Sequence, residues 1–204
     1  MNNYWEIHFD SNSKTSDGSL FKQVGKTVNG LDVAIYQINL IVENIANALQ
    51  LKTSDTIIDL CCGNGLITRQ LAPLVKKIDA VDFSSSLIDI ANEFKKFPNI
   101  SYITSDVLNL TTQYLSGSNK VVMYEALQHF SFNQMEKLTE KLSCLETGAL
   151  IFFGSIPDKS KLKNFYDTDK KYAFFLERER ESRPHMGRWW TFEEIEHLAS
   201  AHGF

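Results

Sequence analysis

Apolar residues recur at helical spacing early in the chain and then gather into short runs. From Leu31 to Leu49 they follow at steps of three and four, which is the period of one face of an amphipathic helix. We expect this helix to end near Lys52. Short runs rich in β-branched residues come after it and are bounded by glycine, proline and polar residues. They predict strands over residues 56–61, 78–82, 100–104, 120–124 and 149–154.

Further helices are predicted between these strands, over about 66–75, 84–96 and 131–143, and a last one after 190. Capping residues mark several of the starts, because a Ser or Thr side chain can accept a hydrogen bond from the first helical turn. Strands separated by helices of this length form parallel βαβ units, so the predicted fold class is a doubly wound α/β domain. The residues that support these helix predictions are the cap Ser84, the inner-face residues Leu87, Ile88, Ala91 and Phe94, and the capping boxes Ser131/Gln134 and Thr191/Glu194.

Changes in the pattern divide the chain into four parts. Residues 1–30 are polar with scattered aromatic residues and are expected to cover the domain, and residues 31–154 hold the α/β core. Residues 155–190, rich in charge and aromatic side chains, predict either an ordered insertion on the substrate side or a solvated helical arm. Residues 191–204 predict a final helix, after which the chain ends.

Composition excludes several classes of protein. The chain carries 21 Lys and Arg against 25 Asp and Glu, a formal net charge of −4, which argues against a nucleic-acid partner bound by bulk positive charge. With 43% hydrophobic residues, intrinsic disorder is excluded. Three cysteines, two of them adjacent, favour a reducing compartment. A signal-peptide pattern and a membrane-length apolar run are both absent, so we expect a cytoplasmic protein without a membrane partner.

Acidic residues follow three successive predicted strands. The first strand ends at Asp59, before a turn that contains Gly63 and Gly65, and the second ends at Asp82, 17 residues beyond Gly65. Asp106 follows the third strand. Ligands of open α/β sheets bind beyond the carboxyl ends of the strands, where a carboxylate can accept hydrogen bonds from ribose hydroxyls. Three such carboxylates predict a site for a nucleoside with a cationic component.

The segment from about residue 35 to 155 resembles the class I S-adenosylmethionine (SAM)-dependent methyltransferases of small-molecule type. Residues 59–65 match the family's first motif, with Cys61 at a position where glycine is commoner, and residues 125–130 match the segment after the fourth strand. The resemblance implies SAM as cofactor, S-adenosylhomocysteine (SAH) as product, and no metal. It implies that Asp82 holds the ribose, Phe83 packs on the adenine and Asp106 meets the adenine amine. The implied cofactor-binding residues are Asp59, Cys61, Gly63, Gly65, Asp82, Phe83, Asp106, Val107 and Glu125.

Candidate residues for the chemistry and the acceptor are less sharply marked. His129 lies where the family places residues beside the transferred methyl group and could act as a base; it could equally only line the pocket. The motif Asn-Pro-Pro-Tyr is absent after the fourth strand, which argues against amines of DNA bases as acceptors. A small-molecule acceptor is therefore expected. Its candidate contacts are Tyr4, Gln128, His185, Arg188 and Trp189, although Trp189 could instead anchor its loop.

Alternative functions stay open at this point. Residues 63–68 begin like the GxGxxG turn of a nicotinamide dehydrogenase, but Thr68 replaces the third glycine, and Asp59 would repel a pyrophosphate. A third possibility is a catalytically inactive SAM-binding module or a truncated methyltransferase.

The expected sheet has five strands in the order 3-2-1-4-5. The family's last two strands are missing from this sequence, so the fifth strand would form an exposed edge that invites pairing. A second copy of the chain, giving a homodimer, or the amino-terminal segment could cover that edge.

Overall fold

The computed structural model describes residues 3–15 and 18–204 of the chain. A parallel sheet forms its centre, and a short antiparallel hairpin precedes it. Within the described residues the strands are β1 (Thr27–Val28) and β2 (Leu31–Asp32) in the hairpin, then β3 (Thr56–Leu60), β4 (Lys77–Asp82), β5 (Ile100–Thr104), β6 (Lys120–Tyr124) and β7 (Leu150–Gly154).

The central sheet has the order β5-β4-β3-β6-β7. Numbered within this sheet, the order is 3-2-1-4-5, so the predicted fold class and strand order are confirmed. Leu60 of β3 is paired with Val81 of β4, and Tyr124 of β6 with Gly154 of β7. Parallel register brings the carboxyl ends of these strands to one edge of the sheet. That edge is where a ligand is expected in an open α/β fold.

Helices cover both faces of the sheet. The cap of Ser84 and both capping boxes are confirmed, since each hydroxyl accepts a hydrogen bond from a backbone N–H of the first helical turn. The described helices are α1 (Asn3–Thr15), α2 (Leu20–Gln23), α3 (Ile35–Ala48), α4 (Thr68–Leu71), α5 (Ser85–Glu93), α6 (Thr112–Leu115), α7 (Phe132–Leu142), α8 (Leu162–Phe165), α9 (Asp169–Arg180) and α10 (Phe192–Ser200).

The apolar core lies in two layers, because successive side chains of a strand point to opposite faces. Ile57 of β3 packs with Ile38 and Ile45 of α3 on one face. Its neighbour Ile58 packs in the other layer, with Leu138 of α7. All five side chains are fully buried. Residues 57 and 58 thus anchor helices on opposite sides, which explains why this strand is apolar without alternation.

Several details of the predicted helices are wrong. Helix α3 ends at Ala48, before the expected end near Lys52. Helix α3 begins at Ile35, because Leu31 belongs to the hairpin and is exposed. The helix predicted over 66–75 is only α4 followed by a 3-10 turn, Ala72–Leu74, since Pro73 cannot donate a helical hydrogen bond. Phe94 is the C-cap of α5 and is 42% exposed, so it does not lie on the helix's inner face.

The ends of the described chain pack in different places. Helix α1 contacts α2 and α5, and β7 pairs only with β6 among the described strands, so the described part of the amino-terminal segment adds no strand at this edge. Residues 155–190 form α8, α9 and connecting loops, and neither helix has a fully buried residue. In residues 3–15 and 18–204 no helix combines the length and apolar character needed to cross a bilayer.

Candidate active site

A cleft opens at the carboxyl ends of β3, β4 and β6 and encloses about 1030 Å³, counting the part open to solvent. Side chains from the strand ends, the glycine turn, α1 and the segment after β6 line it. Of the nine predicted cofactor-binding residues, eight line this cleft and only Gly65 does not. The eight are Asp59, Cys61, Gly63, Asp82, Phe83, Asp106, Val107 and Glu125.

The turn after β3 uses left-handed backbone conformations. Cys61, Gly63 and Gly65 all have positive φ angles, of 62°, 55° and 72°. A Cβ at Gly65 would overlap the ring and hydroxyl of Tyr102. The glycine at 65 is therefore required for packing against β5. Cys61 adopts a conformation that a non-glycine residue seldom takes, at the position where the family more often has glycine.

Asn64 holds this turn in place and was missed by the sequence analysis. Its side chain is fully buried, and its amide nitrogen donates to the Leu20 carbonyl (2.7 Å) and to Oε1 of Gln23 (2.8 Å). Its Oδ1 accepts from the backbone N–H of Leu66 at 3.2 Å. The turn is thereby joined to α2, which precedes the sheet in sequence.

Asp82 lies at the end of β4 and joins two backbone segments. Its two carboxylate oxygens accept from the N–H of Gly63 (2.8 Å) and of Ser84 (2.9 Å). Burial raises the pKa of this carboxyl to about 6. Each oxygen can still accept a further hydrogen bond from a ligand in the cleft.

Asp59 lies beneath the turn and is 4% exposed. The hydroxyl of Thr68 donates to its Oδ2 at 2.6 Å. Burial, together with the nearby charge of Asp82, raises the pKa of Asp59 to about 7. Thr68, which occupies the third glycine position of the dehydrogenase pattern, is therefore the hydrogen-bond donor to a carboxylate in this turn.

Asp106 has two roles at the end of β5. Its Oδ1 accepts from the N–H of Leu108 at 2.9 Å and caps a 3-10 turn, Val107–Asn109. The residue also lines the cleft. The structural role and the predicted ligand contact are thus compatible, because a carboxylate accepts several hydrogen bonds.

Lys26 is a second residue that the sequence analysis missed. It follows α2, forms an ion pair with Glu125, and its ammonium lies 4.6 Å from the ring centroid of Tyr124. Among the residues lining the cleft it is the single Lys or Arg. Glu125 neutralises it, so the carboxylates of Asp59 and Asp82 face the cleft without a basic partner. Such a cleft favours a cation.

Helix α1 closes the cleft on its open side. The rings of Trp5 and Phe9 lie 4.1 and 5.4 Å from that of His129, and Phe9 lies 6.3 Å from Phe83. Asp10 accepts hydrogen bonds from the hydroxyls of Ser84 and Ser86, each at 2.7 Å.

Replacing Asp10 by Ala is expected to loosen helix α1. Hydrogen bonds to a charged group contribute about 1.5–3 kcal/mol each, and less where water competes. We expect amide hydrogens of α1 to exchange about tenfold faster, which corresponds to about 1.4 kcal/mol, as measured by mass spectrometry. Glu6→Ala, an exposed change on the same helix, is the matched control. Unchanged exchange in the Asp10 variant would contradict this role.

His129 lines the cleft between the sheet and α1. Its Nδ1 is buried and has no hydrogen-bond partner within residues 3–15 and 18–204. Burial, and to a smaller degree the charge of His8, lowers the pKa of His129 to about 3. The imidazole therefore stays neutral in ordinary buffers and can accept a hydrogen bond from a ligand.

The five predicted acceptor residues lie outside this cleft. The hydroxyl of Tyr4 accepts from Arg178 at 3.0 Å, and Nδ1 of His185 lies 3.1 Å from the hydroxyl oxygen of Tyr166. The other three line a separate hollow beside residues 159–188: Gln128, Arg188 and Trp189.

Cysteine and metal chemistry find little support in the described part of the chain. Burial raises the pKa of the Cys61 and Cys62 thiols well above their usual range, which makes them poor nucleophiles. Within that same part no group of three or more His, Cys, Asp or Glu residues is placed to hold a metal ion.

Residues 57–147 match the family model described as a methyltransferase domain. Among curated proteins, the chain is 34% identical over 80 residues to ribosomal RNA small subunit methyltransferase A of Dehalococcoides mccartyi, covering 39% of this chain and 28% of that protein. It is 30% identical over 104 residues to the protein of that name from Rippkaea orientalis, covering 50% of this chain and 38% of that protein. The chain thus spans less than two fifths of the length of these relatives.

Solved structures resemble a larger part of the chain. A SAM-dependent methyltransferase from Anabaena variabilis superposes with a TM-score of 0.68 at 20% identity, covering 97% of this chain and 79% of that one. Magnesium protoporphyrin IX methyltransferase from Synechocystis, solved with bound SAH, gives a TM-score of 0.67 at 14% identity, covering 99% and 87%.

The fold and the family match define the class of the domain. Residues 57–147 match the methyltransferase domain model, and the chain has the fold of the class I SAM-dependent methyltransferases. The resemblance inferred from the strand-end motifs is thereby confirmed.

Proposed function

We propose that this protein transfers a methyl group from SAM to an oxygen, nitrogen or carbon of a small-molecule acceptor. The observation that carries the proposal is the cleft in which Asp59 and Asp82 face a glycine turn without a basic partner. An anionic cleft of this kind suits a cofactor with a sulfonium and an ammonium group. It would repel the pyrophosphate of a nicotinamide cofactor.

The lining residues fit the parts of SAM. Asp82 keeps acceptor capacity for the two ribose hydroxyls, and Phe83 offers a ring for the adenine. Asp106 and Val107 would meet the adenine edge, with the Asp106 carboxylate accepting from its amine. The backbone of residues 61–63 and the Asp59 carboxylate would lie along the cationic methionine part, and Glu125 would keep Lys26 neutralised beside it.

The bound cofactor would supply an electrophilic methyl group, and the protein's own contribution is chiefly positioning. Holding two reactants in line is worth about 7–11 kcal/mol at best, so no strong acid or base is needed when the acceptor is already nucleophilic. Trp5 and Phe9 would exclude water from the cleft. The neutral imidazole of His129 would accept the hydrogen bond, and then the proton, of a protonated acceptor atom.

Replacing His129 by Ala is expected to lower kcat by about 10²-fold, at the low end for general-base catalysis because a pKa near 3 makes it a weak base. Cofactor affinity, measured by calorimetry with SAH, should change less than threefold. His197→Ala, on helix α10, is the control. Unchanged turnover would remove His129 from the reaction and leave it a lining residue.

A small acceptor is favoured over RNA, although the relatives quoted above act by name on ribosomal RNA. The similarity to them spans only 80 and 104 residues. The formal net charge of −4 gives no electrostatic attraction to a phosphate backbone. Helix α1 also covers the cleft with aromatic side chains, which leaves room for a small molecule.

Thermal unfolding with SAM, SAH and NAD added separately tests the cofactor. A ligand at 100 times its Kd stabilises the fold by about 2.7 kcal/mol. For a chain of this length, that corresponds to a rise in Tm of roughly 5–10 °C. We expect the rise with SAM and SAH and none with NAD. A rise with NAD alone would support the dehydrogenase, and a rise with SAM without turnover on any acceptor would favour the binding-only module.

Two further parts of the proposal concern the cell and the assembly. We place the protein in the cytoplasm, because its three free cysteines are compatible with a reducing compartment.

We also propose a homodimer formed at β7, which pairs only with β6 among the described strands. Light scattering would measure the mass, and a monomer at micromolar concentration would contradict the dimer.

A further inference from the structure

A second hollow lies beside the segment that follows β7. It encloses about 800 Å³, counting the part open to solvent, and shares no lining residue with the cofactor cleft. One wall is Gln128, on the 3-10 turn after β6, and the opposite walls come from α9 and the loop that follows it. The remaining lining residues are Lys159, Leu162, Phe175, Glu179, Pro184, Gly187, Arg188 and Trp189.

Three residues that line this hollow each carry a buried polar atom without a hydrogen-bond partner in the described part of the chain. These atoms are Oε1 of Gln128, Nε of Arg188 and Nε1 of Trp189. Buried polar atoms nearly always have a hydrogen-bond partner, because losing their hydration without compensation costs free energy. One acceptor and two donors, left open around one hollow, indicate a ligand that offers the complementary groups.

The orientation of the Gln128 amide is fixed by its other end. Gln128 is 6% exposed, and its Nε2 donates to the Glu125 carbonyl at 2.8 Å. Flipping the amide would place Oε1 against that carbonyl, so Oε1 is the atom left without a partner. The backbone is equally well fixed, since the Gln128 carbonyl accepts from the Arg188 N–H at 2.7 Å.

Charges of both signs surround the hollow. Lys159 and Arg188 contribute basic groups, and one guanidinium nitrogen of Arg188 is paired with Glu194 at 2.6 Å. Glu179 contributes a carboxylate that has no ion pair within residues 3–15 and 18–204. Leu162, Phe175 and the Trp189 ring form an apolar wall. The hollow therefore carries charged groups of both signs and has one apolar wall.

We propose that this hollow is a second small-molecule site, for an α-amino acid with an apolar side chain. The carboxylate would accept from Nε of Arg188 and Nε1 of Trp189, and the ammonium would donate to Oε1 of Gln128 and to Glu179. The apolar side chain would lie on Leu162 and Phe175. Binding at this site needs no cofactor, so the proposal does not depend on the proposed methyl transfer.

Indole N–H signals in an ¹H–¹⁵N spectrum test the site, because the chain has three tryptophans in three environments. Trp189 borders the hollow and Trp5 the cofactor cleft, while Trp190 is 1% exposed and donates to the Leu127 carbonyl. Trp5→Phe and Trp189→Phe assign the signals. We expect L-leucine or L-phenylalanine at millimolar concentration to move the Trp189 signal saturably, while Trp190 stays in place.

Matched probes and variants separate binding from a solvent effect. L-Leucinamide lacks the carboxylate and 4-methylpentanoate lacks the ammonium, so each should bind at least tenfold more weakly than L-leucine. Glu179→Gln should weaken L-leucine binding about tenfold, whereas Glu177→Gln, an exposed change on the same helix, should leave it unchanged.

The proposal is overturned if neither amino acid moves the Trp189 signal. It is also overturned if the truncated probes bind as well as L-leucine, or if Glu179→Gln has no effect. Titrating SAH into the same sample reports on the cofactor cleft through Trp5. If SAH does not move the Trp5 signal, that result would count against the proposed methyl transfer. It would leave the proposal for the second site unaffected.

Discussion

Replacing Asp82 by Asn is expected to weaken SAH binding by more than 100-fold. The carboxylate accepts from two backbone N–H groups and is the proposed acceptor for both ribose hydroxyls. An amide keeps only one acceptor oxygen and turns an N–H₂ group towards one of those donors. Hydrogen bonds to a charged group are worth about 1.5–3 kcal/mol, so losing two would cost roughly 3 kcal/mol or more.

Isothermal calorimetry with SAH measures this loss directly. Asp79→Asn is a matched control, because Asp79 lies on the same strand and pairs with Lys77 at the surface. That ion pair should contribute less than 1 kcal/mol to stability and nothing to binding. Circular dichroism should show the same fold for both variants. If the Asp82 variant binds SAH within threefold of the parent protein, the proposed ribose contact is wrong.

The stability of the ligand-free protein is expected to fall as pH rises from about 4 to about 7. Asp59 has a pKa of about 7 in the folded protein against an ordinary value of 3.8, because it is buried. Between these values the folded protein keeps a proton that the unfolded chain has released, so raising the pH favours unfolding. A difference of about 3 pKa units corresponds to about 4 kcal/mol.

Urea denaturation at several pH values, compared with Asp59→Asn, isolates this contribution. The variant cannot titrate at this position, so the difference between the two free energies of unfolding should change by about 4 kcal/mol between about pH 4 and pH 7 and stay constant above pH 7. Thr68→Val removes the hydroxyl that stabilises the ionised form and should shift the loss to higher pH. A pH-independent difference would contradict the raised pKa.

Cofactor affinity should follow the opposite trend. A cationic ligand such as SAM favours the ionised carboxyls, so SAM should bind more weakly by about tenfold for each pH unit below the pKa of a carboxyl that must ionise. Asp82, with a pKa of about 6, makes this dependence steeper below pH 6.

The sequence was sufficient to predict the sheet because each strand is a short apolar run with a clear boundary. The cap residue Ser84, for example, marks the start of α5 through backbone chemistry that does not depend on the rest of the fold. Helix ends governed by long-range packing were placed less well. Leu31 has the spacing of a helical residue, yet it lies in strand β2 of the hairpin.

The strand-end residues of the candidate site were predictable for a topological reason. Parallel strands end at one edge, so Asp59 and Asp82 had to converge once the strands were assigned. Lys26, Asn64 and Trp5 could not be found in this way, because they depend on how the amino-terminal segment folds back over the sheet. Individual hydrogen bonds, such as that between Asp10 and Ser84, fix that packing and leave no periodic signal in the sequence.

The buried amide of Asn64 makes α2 a structural part of the glycine turn. Because its nitrogen donates to Leu20 and Gln23, removing α2 would leave two donor hydrogens of a fully buried side chain unmet. The glycine turn would then have to rearrange or admit water. Helix α2 is thus a structural component of the turn, and a chimeric enzyme that received the sheet without α2 would have a turn that no longer holds its shape.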